Sequence, residues 1–518
     1  MSTNVEIEYR VLFISINSVW RYGNIGMDQL LGYLRTKKYN IDIMYFRNRQ
    51  KVEEIYKKIN LTYDMYAFSV NSANYEKCRE IANNIKRDKM NSTIVFGGGY
   101  PTRYYREIAK ETKSVDYMIL GDGEIPTDYL LTCLSKIKNG KKVNISHSAI
   151  ATKNDCDNKK DYFNTEITWD PAYDYYEKDN NFVNSRKVHC IQIKNNICTG
   201  NCSFCTERHG KVVYKDIDAV VNQIEYVNSK FGVKKIYFTD DNILDPNTEQ
   251  AKEHLKTLCI ALKRKKIKVS YQCYMKAFSL QDCPKDRELL TLMREVGFVE
   301  IFVGIEAGNQ EDLNLYNKYT TVEQNYNIIA LLKEYDIFPI IGYIAFNPYS
   351  TRERIMKNFK YLCDIECTYL HNYLYSFAVV NKYTAMYEMI KKDGLLAGRE
   401  EDYLGVKYHY QHPEVREVLE YVENEMLPRL RNLDYELDWV TYSAMEHEVS
   451  YSDIRNYRPA LAERKIQDAK WIKEHLKYLF IDFDVEAFKR VEEAFWEYFK
   501  KEEDFLREIY DYYISLHY

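Results

Sequence analysis

Between residues 9 and 120, five short apolar runs alternate with segments of helical periodicity, and that alternation leaves the chain few folds to choose from. Residues 11–16, 41–46, 65–70, 93–96 and 115–120 read as strands, while 27–34 and 75–86 repeat apolar residues at helical spacing. Five such units predict an α/β domain over residues 1–150: a doubly wound, Rossmann-like parallel sheet whose ligands sit at the carboxyl ends of its strands. Two of those ends carry glycine where backbone must turn tightly or approach a ligand, at Gly97-Gly98-Gly99-Tyr100-Pro101-Thr102 and Gly121-Asp122-Gly123-Glu124.

Residues 151–186 cluster Asn, Asp and Lys and read as a linker. The alternation then resumes. Residues 188–193, 235–238, 269–274, 298–305, 339–346 and 369–379 read as strands with amphipathic helices between them, the first helix over 216–227. Six strand–helix units fall short of the eight in a closed barrel, so residues 187–396 are expected to form a partial TIM-like barrel, open sideways. From residue 397 to 518 the pattern becomes helical, with stripes such as Val491, Phe495, Tyr498 and Phe499 reading as core faces of a cap.

The cysteines give this scaffold its chemistry. Cys198, Cys202 and Cys205 are spaced Cys-x3-Cys-x2-Cys in the loop that leaves the first strand of the second domain. Three thiolates so placed can hold three irons of a four-iron, four-sulfur cube and leave the fourth open to a small ligand. The alternative is tetrahedral zinc, with His209 completing a Cys3His set in a zinc-stapled, non-enzymatic binding protein. Zinc of that kind staples small modules, whereas a chain of 518 residues has material for its own core.

Composition narrows the setting. Hydrophobic residues at 46% and charged residues at 29% match an ordinary globular protein. A net charge of −4 argues against a large nucleic-acid footprint. No apolar stretch reaches the roughly 18 residues of a membrane-spanning helix, and the polar first ten residues do not read as a signal peptide, so a cytoplasmic protein is expected. Twelve cysteines in so long a chain are not a disulfide framework, and a metal-binding trio must stay reduced, which fits an anaerobic cell. The 49 tyrosines read as the codon bias of an adenine- and thymine-rich genome, with a tyrosine-lined substrate channel as the alternative.

The cysteine spacing, with Phe204 just before the last cysteine, resembles the radical S-adenosylmethionine (SAM) superfamily. The two glycine runs resemble the cobalamin-binding domain that precedes the barrel in one branch of it. Further resemblances lie at Asp240-Asp241 after a strand, at Lys276, at Val303-Gly304-Ile305-Glu306-Ala307-Gly308, at Asn317-Lys318-Tyr319-Thr320 and at Gly342-Tyr343-Ile344-Ala345-Phe346-Asn347-Pro348. In the last of these, Phe346 and Asn347 depart from the branch's usual glycine and aliphatic residue.

The resemblance implies a [4Fe-4S] cluster on Cys198, Cys202 and Cys205 that binds SAM and passes it one electron from a donor such as flavodoxin or ferredoxin. The resulting 5′-deoxyadenosyl radical takes hydrogen from a carbon of a small metabolite, natural product or peptide. Phe204, Asp240, Asp241, Lys276, Gly304 and Glu306 are implied near SAM, and Gly97, Gly98 and Gly121 near cobalamin. No histidine precedes His147, so this domain supplies none to cobalt. With cobalamin the reaction would be C-methylation; without it, cyclisation, rearrangement, epimerisation or oxidation. Tyr408, His409, Tyr410 and His412 are candidate proton donors, and Cys363 with Cys367 lacks the partners of a second cluster.

Overall fold

The computed structural model describes residues 9–17, 24–37, 39–157, 160–161, 171–172, 188–195, 197–206, 210–366, 371–402, 405–430 and 458–517. The chain divides into two compact units, 1–195 with 213–215, and 196–212 with 216–518.

The first unit holds β1 (Arg10–Asn17), β2 (Asn40–Arg47), β3 (Met65–Ser69), β4 (Thr93–Gly97), β5 (Tyr117–Ile119) and β6 (Ile150–Thr152), in the order β2-β1-β3-β4-β5-β6. The first five are parallel, and β6 adds an antiparallel edge. Val11, Leu12, Phe13 and Ile14 are all buried, so β1 is covered on both faces and its sequence is a continuous apolar run. Sequence order reverses between β1 and β3, the switch point where sheets of this class open a crevice for ligands. There Asn24, which caps the helix Ile25–Arg35, donates from Nδ2 to the Ser15 and Ser69 hydroxyls, both at 3.0 Å. A buried strand, β7 (Val188–Ile191), comes last among this unit's named strands.

In the second unit β8 (Lys235–Phe238), β9 (Ser270–Lys276), β10 (Phe298–Glu306) and β11 (Phe338–Tyr343) pair in succession, all parallel. Most helices of this unit start on side-chain caps, whereas Pro284–Val296 starts on a proline with no side-chain cap at Cys283. Asp216, Thr248 and Thr351 each accept a first-turn N–H, and Thr321 forms a capping box with Gln324. Gly232 and Gly297 end two of them in the left-handed conformation.

Two expectations need correction. The strand read over 369–379 is a 3-10 turn at His371–Tyr375, with its pairing reduced to one parallel bridge, Phe346 to Phe377. The Ser376 hydroxyl donates to the Tyr373 carbonyl at 3.1 Å, a local bond in place of a strand partner. The sixth strand–helix unit is therefore not formed by the described residues. Nor is the chain helical from 397 onward, because β12 (Leu396–Asp402) and β13 (Gly405–Tyr408) form an antiparallel hairpin first.

Helices then dominate the described residues, ending in Arg458–Phe480 and Val485–His517. Of the stripe on the last helix, Phe495 and Phe499 are core, while Val491 and Tyr498 are half-buried. No described helix is long and apolar enough to cross a membrane. Tyrosines serve the cores of both units: Tyr66, Tyr271, Tyr316 and Tyr361 are among the largest fully buried side chains.

Candidate active site: the cysteine loop and the strand ends around it

The loop 197–206 has too few apolar side chains to hold its own shape, and its conformation comes from residues far away in sequence. Asp245, fully buried, accepts from the Thr199 N–H at 2.9 Å and the Thr199 hydroxyl at 2.6 Å. Lys276, the last residue of β9, donates to the same carboxylate at 2.7 Å and to the Thr199 hydroxyl at 3.1 Å. On the other flank the Ser203 N–H donates to the Tyr316 carbonyl at 2.9 Å, and the Ser203 hydroxyl to the Leu315 carbonyl at 2.8 Å. Asn317 Nδ2 reaches the Asn201 carbonyl at 2.7 Å. Phe204 meets the Tyr316 ring edge-on at 5.5 Å, which accounts for an aromatic residue before the last cysteine.

Burial pushes the Cys198 and Cys202 thiols above their ordinary range. Cations oppose that trend, Lys276 at Cys198 and Lys318 at Cys202. The Gly200 N–H also donates to Cys198 Sγ at 3.3 Å. Positive charge and N–H groups aimed at sulfur favour the thiolate, the form that binds metal. All three are half-buried thiols outside any disulfide, so the donor set suits an iron–sulfur cluster. Among the described residues no three His, Cys, Asp or Glu side chains converge as ligands of a single ion. A cube does not require that, since each thiolate binds a different iron.

Asp240 and Asp241 follow β8 at its carboxyl end, Asp240 fully buried. The next helix is capped by Thr248, so this acidic pair is not its cap. Asp241 lies close enough to act electrostatically on Cys198. Glu306 ends β10 with φ at 65°, a left-handed conformation that is strained for a residue with a side chain. Its Oε1 pairs with Lys318 Nζ at 2.8 Å, with both side chains at most 13% exposed. A Cβ on Gly304 would stand 2.6 Å from that Nζ, so a side chain there would force the pair to shift.

The same sheet carries a face that periodicity alone does not mark out. Tyr237, Tyr274 and Phe302, on three neighbouring strands, approach ring to ring at 5.7 and 5.1 Å, and Gln272, fully buried, bonds the Tyr237 hydroxyl. Asn347, a departure from the expected motif, is also fully buried. It donates to Asp312 at 2.8 Å and to the Tyr316 hydroxyl at 2.9 Å, linking the end of β11 to the residue that holds Ser203. Tyr408 and Tyr410 stay neutral hydroxyls, since burial raises both phenols far above their usual value. Cys363 is a half-buried thiol that burial pushes up to about 11, while His209 and Cys367 lie outside the described residues.

In the first unit, Gly98 adopts φ of 105°, and a Cβ there would come 2.8 Å from the Val70 carbonyl oxygen. Thr102 joins the two glycine turns, donating from its hydroxyl to the Gly98 carbonyl at 2.8 Å and accepting the Gly121 N–H at 2.9 Å. Gly97 is under no such constraint: the nearest atom to a Cβ there is 3.8 Å away. Gly98 and Gly99 are exposed, so the carboxyl end of β4 presents bare peptide against which a large flat group can lie. This fits a corrinoid.

The Asp245 clamp carries a pH signature. Burial works against its charge, but the Lys276 charge and the hydrogen bonds from Lys276 and Thr199 prevail and hold the carboxyl below its ordinary value. A depressed folded pKa gives stability that is fully present above the unfolded value of about 3.9 and is lost as pH falls through the folded one. The stability gap between the wild type and Asp245→Asn is therefore expected to narrow below about pH 4. Thermal melts from pH 6 to pH 2.5 would show it, and a constant gap would count against the clamp.

Comparison with known proteins gives the site its context. Residues 193–362 match the Radical SAM superfamily and residues 10–131 match the B12 binding domain. The anaerobic magnesium-protoporphyrin IX monomethyl ester cyclase of Cereibacter sphaeroides is 26% identical over 296 residues, covering 53% of this chain and 45% of the relative. An uncharacterized methyltransferase of Pyrococcus horikoshii is 21% identical over 294 residues, covering 56% of this chain and 61% of the relative. The chain thus spans about half the length of the curated relatives it matches. In fold it is similar to the cobalamin-dependent S-adenosylmethionine radical enzyme OxsB, solved with aqua-cobalamin and S-adenosylmethionine bound. That match has a TM-score of 0.71 at 16% identity and covers 98% of this chain and 79% of that one. The superfamily match runs across the cysteine loop and sets aside the zinc-stapled binding protein.

Proposed function

This chain belongs to the radical SAM superfamily and carries a B12-binding domain, and from that premise we propose that it methylates a carbon of a small metabolite, natural product or peptide with the help of cobalamin. The observation that carries the proposal is the presence of both domains in one chain, each with a matching site: a braced cysteine loop in one unit and exposed glycine turns at strand ends in the other. Relatives named as methyltransferases support the reaction type.

In this reading Cys198, Cys202 and Cys205 hold the cluster, and residues 187–396 carry the radical reaction with 397–518 as its cap. When bound, the cluster and SAM supply a 5′-deoxyadenosyl radical and cobalamin supplies the methyl group. The chain's own residues position and shield. Asp245 and Lys276 fix Thr199, and Tyr316 and Asn317 fix the opposite side of the loop. Asp240, Asp241 and Glu306 offer carboxylates for the SAM ammonium or ribose hydroxyls, with Phe204, Lys276 and Gly304 around them. Gly97, Gly98 and Gly121 offer backbone to cobalamin. We place the protein in a reducing cytoplasm, served by flavodoxin or ferredoxin.

A second reading, radical cyclisation without methyl transfer, draws on the cyclase name of the Cereibacter relative. Protein purified without oxygen from cells supplied with cobalamin separates the two. Methylation predicts broad iron–sulfur absorption with corrin bands, and S-adenosylhomocysteine released alongside 5′-deoxyadenosine. Iron–sulfur absorption without corrin bands would overturn the methyl-transfer reading, and colourless, zinc-rich protein would overturn both.

A further inference from the structure

The geometry points to the buried Lys318–Glu306 pair as an electrostatic setting for the cysteine loop: Lys318 makes the cluster easier to reduce, and Glu306 limits how far. The inference rests on reading Cys198, Cys202 and Cys205 as cluster ligands.

Lysine is rarely buried, and one that is needs a reason. Lys318 lies between Asn317 and Tyr319, which have φ of 53° and 29°. That contorted backbone turns Tyr319 outward, 75% exposed, and Lys318 inward, its side chain 10% exposed. Segment 315–318 runs beside the cysteine loop, tied to it by the Leu315 and Tyr316 carbonyls and the Asn317 amide. The Lys318 ammonium accordingly acts on both Cys202 and Cys205.

Several features make room for this one cation. Gly304 has no side chain where Nζ and the Glu306 carboxylate meet: a Cβ there would stand 2.6 Å from Lys318 Nζ and 2.8 Å from Glu306 Oε1. The register of β10 against β11 shifts between Gly304 and Glu306, and Glu306 takes up the left-handed backbone. Strain of this kind persists only where the surroundings enforce it, and it clusters at functional sites. A pair serving stability alone would not need to sit beside two cluster cysteines.

The electron balance fixes the sign of the effect. Reduction takes one electron from an external one-electron reductant and adds one negative charge to the cluster. A nearby positive charge favours that state and a nearby negative charge opposes it. Lys318→Met is therefore expected to lower the cluster's midpoint potential, Glu306→Gln to raise it, and the double variant to return close to the wild type. A tenfold fall in the reduced-to-oxidised ratio at fixed poise, about 59 mV for one electron, is the expected scale for Lys318→Met.

The test is a redox titration of the reconstituted full chain, without SAM, followed by electron paramagnetic resonance and accompanied by iron and sulfide analysis. A downward shift in Lys318→Met with an upward shift in Glu306→Gln supports the inference, and the reverse pair of shifts overturns it. Shifts of the same sign, or unchanged midpoints with full clusters, overturn it and leave the pair a structural one. If Lys318→Met fails to hold a cluster, the near-isosteric Glu306→Gln decides alone: an upward shift supports the inference, and no shift or a downward one overturns it. Wild-type protein that takes up no iron would instead overturn the reading of the cysteines themselves.

Discussion

Replacing Cys202 with alanine is expected to abolish 5′-deoxyadenosine formation from SAM while leaving the fold intact. Three thiolates are the minimum that holds a cube with one iron left open, and two cannot fix it. The substitution removes only a half-buried sulfur. The bond from the Cys205 N–H to the Cys202 carbonyl, at 3.1 Å, is made by backbone and survives, as do both bonds from Ser203. The apo variant should therefore melt close to the wild type while its reconstituted iron content collapses. Cys363→Ala is the matching control, because that thiol lies outside the loop and should leave deoxyadenosine formation unchanged. The measurement is anaerobic chromatography of SAM cleavage products with dithionite as reductant. Deoxyadenosine released by the Cys202 variant at the wild-type rate would show that the cluster cleaving SAM is not held by this loop.

What the sequence made legible follows from where the determining contacts lie. Strands β1, β3 and β4 are apolar runs because they are buried on both faces, while β2, at the sheet edge, is mostly half-buried and was legible from its isoleucine, methionine and aromatic residues; the observed limits of all four differ from the read ones by at most one residue at either end. The cysteine trio is legible for a different reason: its chemistry depends on spacing within eight residues of chain, Cys198 to Cys205. β6 escaped notice because three residues of strand carry no period, and its pairing with β5 is the only thing that defines it.

Harder still were residues whose role exists only in the folded chain. Asp245 lies 46 residues from Thr199, and nothing in its neighbourhood distinguishes it from a turn aspartate. Lys318 stands in a run that the sequence does single out, yet its burial against Glu306 depends on the missing side chain of Gly304. Asn347 reads as a flaw in a motif, an asparagine where an aliphatic residue is usual. In the fold it is a fully buried donor with two partners, so the departure is compensated by a polar network rather than by packing.

Asp312 is the acceptor at the centre of that network, and Asp312→Ala is expected to destabilise the second unit by about 3–5 kcal/mol, the range for breaking a buried ion pair. Its carboxylate, with no exposure, accepts from Asn309 at 2.6 Å, Asn347 at 2.8 Å and Asn358 at 3.0 Å, and pairs with Arg354. Alanine would take from a guanidinium and three amides in the interior their shared charged acceptor, leaving each with only its neutral partners, which costs more than an exposed bond contributes. The damage should also travel. Asn347 holds the Tyr316 hydroxyl and the Tyr316 carbonyl holds Ser203, so loss of Asp312 loosens one flank of the cysteine loop and should lower cluster retention even in protein that remains folded. Urea titration of the apo protein measures the first effect, and iron content after reconstitution the second. A companion variant, Asp312→Leu with Arg354→Met, removes charge from both sides of the pair and should recover part of the lost stability. If Asp312→Ala unfolds within about 1 kcal/mol of the wild type, an ordinary single hydrogen bond is all that the site provides, and the path from Asp312 to the cysteine loop is not the one described.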